Sequence, residues 1–499
     1  MHRLPRFLSE SRQLLRLTGP LVAAQMVYIL MGLMDTVMAG HAGAEDQAVV
    51  GLGVALWAPV FLSLLGISQA LSPVVAHHHG AGDKAGIIAD TREGLWLAGI
   101  SGVIPFLLMP AVPAVLAAAQ IEAGLAAKVT QFLWGIVLGL PAALLTRTLG
   151  FYSASINHTR PLMVFGALGL AVNFFLNWVL IYGHLGLPAL GGVGCGWATG
   201  IGMWAGLAMM ALYTARARIY REVFLWHGWS WPHWPRQKNL LKLGLPMGAA
   251  MLAEVSAFAG VALLIGRFGA VQIAAHQVAL NFASLVFMLP LGLSTAISIR
   301  VGQALGGGDP RGARFIAWSG VLIGLLIAAA MVPVVLLGRE AIVALYTPDA
   351  AVQAIASTLL LFAAVWQFSD ATQVCAVGAL RGYKVTMMPM WLMIGAFWLI
   401  AIPLGARLGY HGLDAYPVTG VYGFWIGLVV GLTLVALGLV LTLRSVARHR
   451  IADHAAIWNR LAQGSRRNPA GLCWSLMLRL RVAGGTKPTP RHPTHGDLP

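Results

Sequence analysis

Three carboxylates stand where a carboxylate is expensive. Asp35, Glu254 and Asp370 lie inside long apolar stretches of a chain that has only 17 acidic residues. At mid-bilayer each would cost roughly 2.5 to 3.5 kcal/mol on insertion scales. No Lys or Arg falls within one helical turn of any of them, and no base is clearly placed at the same depth, although Arg147 could reach it. A carboxylate so placed stays protonated or binds a cation, and either option makes it a candidate ion-coupling site. The bland alternative is a hydrogen bond between helices, which accounts for one buried acid more readily than for three.

Other polar and aromatic residues stand at helical spacing near these acids. Asn173 and Asn177 are four apart and share one helix face, where their amide oxygens could serve a cation or their hydrogen bonds could join helices. Trp366 precedes Asp370 by four residues, and Glu254 precedes Phe258 by four. An aromatic face beside a carboxylate suits a lipophilic organic cation, through charge pairing and cation–π attraction, and it also suits ordinary packing. The run His77-His78-His79 reads as part of a polar loop beside Gly80 and Gly82. Gly302 to Gly308 is glycine-rich but has no following Lys-Ser/Thr, so it is not a phosphate-binding loop. Cys195, Cys375 and Cys473 have no motif spacing, and neither a disulfide framework nor a zinc site is supported.

The elements that must carry these residues follow from composition. Of 499 residues, 58% are hydrophobic and only 10% charged, against about 25% charged in soluble domains. A soluble enzyme is excluded. With roughly 20 apolar residues per crossing, hydropathy divides the chain into twelve spans near 14-38, 47-75, 92-117, 127-155, 161-183, 191-215, 240-266, 272-302, 313-337, 352-381, 387-407 and 416-444.

The net charge of +16 is distributed very unevenly. Of the 33 Lys and Arg residues, all but Lys128, Arg267, Arg339 and Arg407 fall on the side of the N-terminus, the even-numbered loops and the C-terminal tail. That bias places both termini in the cytoplasm and makes the charge a topology signal, with no nucleic-acid partner. The expected divisions are 1-215, a linker 216-239 with a tryptophan cluster, 240-445, and a basic tail 446-499 that reads as disordered or lying on anionic lipid.

The chain also repeats itself. A shift of 226 positions aligns residues 14-83 with 240-309 without a gap, and 21 of the 70 pairs are identical. Pro20 pairs with Pro246, Gly43 with Gly269, Phe61 with Phe287, and Gly80, Gly82 and Asp83 with Gly306, Gly308 and Asp309. Six spans per half mean that both halves insert the same way up, the parallel-repeat plan of transporters whose lobes rock about a central cavity. The expected fold is therefore all-α and polytopic, with two six-helix lobes. No segment resembles an ATP-binding domain, so energy must come from an ion gradient or from the substrate's own gradient. A membrane enzyme is disfavoured, because no His/Asp or Ser/Lys constellation lies at span depth.

At this point the stretch LTGPLVAAQMVYILMGLMDTVMAGHAGAEDQAVVGLG, together with VQIAAHQVALNFASLVFMLPLGLSTAISIRVGQALG in the second half, resembles the multidrug and toxic compound extrusion (MATE) family, in its bacterial NorM-like branch. The resemblance runs over about residues 8-445. It implies export of cationic drugs in exchange for Na+ or H+, with no cofactor, by a monomer in the bacterial inner membrane. It further implies a first-lobe site at Asp35, Asn173 and Asn177, with Pro20 and Thr199 in support; Tyr28, which falls opposite Glu254 in the repeat alignment, is a weaker candidate for the substrate cavity. A second-lobe cation site, able to take Na+, falls at Glu254 and Asp370, flanked by Phe258 and Trp366. Where relatives usually carry Asp-Thr after the tenth span, this chain has Val385-Thr386, a change expected to affect gating contacts. The expected partners are cationic small molecules, a monovalent cation and the bilayer. The rival readings are a flippase for lipid-linked precursors, which a strongly basic cavity would favour, and a cation channel using the same acids.

Overall fold

In a computed structural model, residues 3–412 and 419–467 are described, and they are helical almost throughout, with no strand among them. The helices are α1 (Arg3–Ala42), α2 (Ala44–Ser68), α3 (Leu71–Gly80), α4 (Lys84–Leu108), α5 (Val112–Ala118), α6 (Ala123–Ser155), α7 (Arg160–Tyr182) and α8 (Gly192–Arg216). The second half comprises α9 (Trp234–Ile265), α10 (Ala270–Gly306), α11 (Pro310–Tyr346), α12 (Ala350–Gly382), α13 (Met387–Ile394), α14 (Ile402–Tyr410) and α15 (Val421–Arg467). A π-helical turn over Gly395–Ala401 joins α13 to α14. Together they make twelve stretches long and apolar enough to cross a bilayer. The chain is a multi-pass membrane protein.

Helices here approach each other through small residues, as they must where lipid is as apolar as leucine and only packing draws helices together. Gly135 and Gly139 of α6 lie against Gly196 and Gly200 of α8. A Cβ added at Gly135 would come within 2.6 Å of the Gly196 carbonyl carbon, and one at Gly139 within 2.6 Å of the Gly200 Cα. The sequence repeat reappears as reciprocal contacts between the halves. A Cβ at Gly80 would stand 2.0 Å from the Gln303 carbonyl oxygen, and one at Gly306 would stand 2.0 Å from that of His77. Gly66 packs on Gly248 while Gly292 packs on Val22. Each pair maps onto the other by the shift of 226, so the two lobes meet about a pseudo-two-fold axis.

The turn after each of these helices is built alike. Gly82 and Gly308 adopt φ of +70° and +77°, and Asp83 and Asp309 then cap α4 and α11 by accepting from the Gly86 and Gly312 amides at 2.9 and 2.7 Å. Around this face the lobes are stitched together. His77 Nε2 lies 2.9 Å from the Gly382 carbonyl, Arg381 donates to Gln69 Oε1 at 3.0 Å, and Gln303 Nε2 donates to the Ser155 carbonyl at 2.9 Å. Because backbone carbonyls occupy the space a Cβ needs, Gly80→Ala with Gly306→Ala is expected to hold this face apart. In a background lacking native cysteines, the yield of an Ala76→Cys/Gly302→Cys disulfide should fall several-fold against the parent pair. An unchanged yield would show that the seam yields to a methyl group.

Three sequence expectations need correction. His77, His78 and His79 are helical, forming the last turn of α3, because the second span runs on past residue 75. The linker ends earlier than residue 239, since α9 begins at Trp234 with Pro235 in its first turn. It is also firmly held. Arg92 donates to the carbonyls of Leu225 at 2.9 Å and Gly228 at 2.7 Å, and to that of His227. Trp96 donates to the Ser230 carbonyl at 3.0 Å. Finally, the first part of the basic tail is ordered: α15 continues from the membrane to Arg467. A helix already nucleated in the bilayer extends cheaply through residues 445–463, which contain neither Gly nor Pro. The remainder of the tail lies outside the described residues, as do residues 413–418 at the start of the expected last span.

Candidate functional site

In the first lobe, four side chains from three helices close a ring. Asp35 comes from α1, Asn173 and Asn177 from successive turns of α7, and Thr199 from α8. Asn177 Nδ2 donates to Asp35 Oδ1 at 2.5 Å and to Asn173 Oδ1 at 3.0 Å. Asn173 Nδ2 donates to Thr199 Oγ1 at 3.2 Å, and Thr199 donates back to Asp35 Oδ2 at 3.3 Å. Both asparagines are fully buried, so the four-residue spacing read from the sequence serves to hold Asp35. The ring leaves one acceptor over: Asn177 Oδ1 is buried with no hydrogen-bond partner among the described residues.

Asp35 forms part of the wall of a cavity of about 370 Å³, together with Tyr28, Trp57, Phe61, Arg147 and Thr199. Its aromatic side is a packed set, with Tyr28 stacked on Phe61 at 6.2 Å and Trp57 tilted against Phe61 at 5.2 Å. Pro20 is not in this wall. It sits within α1, one turn before Ala24 of the wall, and its missing N–H interrupts the helical ladder there.

The second lobe holds a matching cavity of about 360 Å³ lined by Glu254, Phe258, Ser294, Trp366, Asp370 and Arg381 among others. The two acids are brought together from α9 and α12. Phe258 stacks on Trp366 at 5.5 Å, and Trp366 packs on Trp425 at 5.4 Å, so both spacings beside the acids build one aromatic wall. Glu254 Oε1 accepts from Gln373 Nε2 at 3.5 Å, and Gln373 Oε1 is buried with no partner among the described residues. Each lobe thus has an acid beside an orphaned carboxamide oxygen, the acceptor set that a proton or a small cation completes. Among the described residues no group of three or more His, Cys, Asp or Glu side chains is placed to hold a metal.

Two functional candidates escape the sequence reading. Arg147 is expected there at most to reach membrane depth, and Arg381 to lie at a helix end. Instead each lobe's cavity has one arginine in its wall. Arg381 lies eleven residues beyond Asp370, three helical turns away, so no short spacing links them, and only the arrangement of α9, α10 and α12 around a shared space makes one cavity of them. The departure at Val385-Thr386 lies just past this seam, where the Val385 amide closes on the Leu380 carbonyl at 2.9 Å.

Comparison with known proteins fits this geometry. The MatE family model matches residues 20–179 and 246–407, one segment in each lobe. The chain belongs to the MatE family. This MatE protein is 43% identical over 465 residues to the multidrug resistance protein PmpM of Pseudomonas aeruginosa, covering 92% of this chain and 96% of that one. It is 41% identical over 445 residues to a probable multidrug resistance protein NorM of Chromobacterium violaceum, covering 89% and 96%. The same fold is found in the crystal structure of the eukaryotic MATE transporter AtDTX14, with a TM-score of 0.80 at 20% identity, covering 90% of this chain and 99% of that one. A MatE protein is a transporter, not an enzyme.

Proposed function

We propose that this MatE protein is a multidrug efflux antiporter of the bacterial inner membrane, in which Na+ or H+ entering from outside drives out cationic and amphipathic drugs. The reading rests on one observation above the rest. Each lobe sets an acid in a largely apolar cavity with a single arginine in its wall, beside a carboxamide oxygen that has no hydrogen-bond partner among the described residues. Such a site binds one positive charge at a time well and two badly. An inward-moving cation and an outbound drug therefore compete for the same buried negative charge, which is sufficient for exchange. Asp35, held by Asn173, Asn177 and Thr199, serves the lobe formed by residues 1-215. Glu254 and Asp370 serve the lobe formed by residues 240-445, with Na+ able to occupy the second site.

The distribution of Lys and Arg supports a cytoplasmic location for both termini and for the face sealed by His77, Gly80, Gln303 and Gly306. With that face closed, the acids are set to exchange with the outside. The chain works as a monomer, since each lobe completes its own site. One arginine per cavity is too little basic surface for the polyphosphate of a lipid-linked precursor, which disfavours the flippase reading. Counterflow in proteoliposomes provides the test: outward Na+ and H+ gradients are imposed separately and the accumulation of a cationic dye such as ethidium is followed. Accumulation driven by at least one gradient is expected. Transport indifferent to both, or conductance far above carrier turnover, would overturn the exchange reading.

A further inference from the structure

Arg381 supplies the positive charge in the wall of the second-lobe cavity. It stands on the last turn of α12, and Glu254 and Asp370 line the same space. Among the described residues it makes no ion pair, although the charge of Glu254 acts on it across the cavity. Its hydrogen bond goes to the other lobe instead. Arg381 Nη1 donates at 3.0 Å to Oε1 of Gln69, a buried residue at the turn between α2 and α3. The next residue, Gly382, accepts from His77 at 2.9 Å. One side chain is thus both a counter-charge to two buried acids and a fastener of the face where the lobes meet.

The first lobe has no such side chain. Helices α6 and α12 are counterparts of 33 residues each, and the shift of 226 puts Ser155 at the position of Arg381. Ser155 donates to the Ser72 carbonyl at 3.0 Å, within its own lobe, and does not line the Asp35 cavity. The link from acid site to seam is therefore built on one side only. Two carboxylates in a largely apolar cavity need positive charge, and without another cation it comes from Arg381. While that holds, withdrawing the guanidinium would leave the acids uncompensated, so Arg381 stays in the wall and on Gln69. A cation that reaches Glu254 and Asp370 takes over the balance. The guanidinium then meets a like charge across a cavity of about 360 Å³ and is driven out of the wall.

We propose that Arg381 is an interlock, which holds the seam shut through Gln69 until a cation occupies the second-lobe acids. It is a positioning residue, acting on transport through Gln69 and the seam and not on the drug. The inference rests on the exchange reading and adds what exchange requires. A carrier that cannot open this face with its acids unoccupied returns only with a cation aboard, so it exchanges and does not leak.

The test reads the seam directly, with no gradient and no transport. Spin labels at Ala81→Cys and Arg311→Cys, two exposed positions beside the matching turns at Gly82 and Gly308, report closed and open populations as short and long distances. The full-length protein otherwise lacks cysteine. Gln69→Leu and Arg381→Gln should each lower the closed-to-open ratio about tenfold, the worth of one charge-assisted hydrogen bond. Asp370→Asn, which alters no hydrogen bond at the seam, should lower it in the same direction. It should add nothing in the Arg381→Gln background, and its effect should return in part in Arg381→Lys, which keeps the charge. An Asp370→Asn protein with the parent's ratio would overturn the interlock, because a merely structural fastener does not sense the acids. That comparison stands even if Arg381→Gln fails to insert. A ratio unaltered by Gln69→Leu would overturn it as well. A parent protein that exports no ethidium from proteoliposomes would count against the exchange reading instead, since the distances require no transport.

Discussion

Asp35→Asn should reduce cation-driven drug export by about 100-fold while the protein still inserts and binds dye weakly. The substitution is close to isosteric, and the ring that holds residue 35 can survive it. Asn177 Nδ2 still finds a side-chain oxygen to donate to, and the Thr199 hydroxyl can turn to accept where it now donates to Asp35 Oδ2. Only the charge is removed. A charge-assisted hydrogen bond is worth roughly 1.5–3 kcal/mol, and each 1.4 kcal/mol corresponds to about tenfold in an equilibrium, which sets the expected size. Ethidium export from vesicles at matched expression is the measurement. Near-wild-type export by Asp35→Asn would remove Asp35 from the coupling cycle and leave the ring as a structural joint between α1, α7 and α8.

The second large effect is expected at the other pair of acids. Asp370 is 4% exposed, and both it and Glu254 face the cavity that holds Arg381. Asp370→Asn takes away negative charge and leaves the guanidinium with less to balance it. Binding of a drug cation should weaken, and the response to the driving ion should vanish. The loss in gradient-driven export is again about 100-fold. Glu254→Gln should behave in the same direction. A second readout separates coupling from mere folding. Trp366 stacks on Phe258 at 5.5 Å and lies 5.4 Å from Trp425, so cation entry beside Asp370 should change tryptophan fluorescence. That change should disappear in Asp370→Asn and in Trp366→Phe, although only the former abolishes export. An Asp370→Asn protein that keeps both the fluorescence response and its export would place the cation elsewhere.

The second of these sites borders the seam between the lobes. Arg381 reaches from the wall of the acid cavity to Gln69 of the other lobe, and the next residue, Gly382, takes a hydrogen bond from His77. The cavity that holds Glu254 and Asp370 thereby shares one wall residue, Arg381, with the contacts that close this face. The extended helix α15 and the pinned linker flank the same region. The linker hangs on Arg92, Glu93 and Trp96, all on α4, with Glu93 accepting from the His233 amide at 2.9 Å and from Gln237 at 2.7 Å. These hydrogen bonds anchor the linker along one helix of the first lobe.

Much of this architecture is legible in the amino-acid sequence alone. Scarce charge over long apolar runs can be accommodated only as membrane helices, since backbone groups in lipid must bond within their own segment. Twelve spans, the repeat at a shift of 226 and the three intramembrane acids follow from that constraint and from simple alignment. The spacings of Asn173 with Asn177, and of Trp366 with Asp370, keep their meaning in the folded chain, because i and i+4 positions share a face in any helix. What the residues do with that face is not legible. Asn173 and Asn177 could face lipid, a cation or another helix, and only the packing of α1, α7 and α8 turns them onto Asp35.

The two arginines make the same point more sharply. Hydropathy places Arg147 inside the fourth span, where it could reach membrane depth, and Arg381 at the end of the tenth, where long cationic side chains commonly reach towards water. Their direction around the helix, and hence whether they meet lipid, water or a cavity, depends on which helices lie alongside. Those neighbours come from segments up to hundreds of residues away, as when Arg381 meets Gln69. Local sequence therefore decided that this chain crosses the membrane twelve times and carries its acids inside. Tertiary packing decided that each lobe encloses one acid site and one arginine in the same cavity, because a cavity belongs to no single helix.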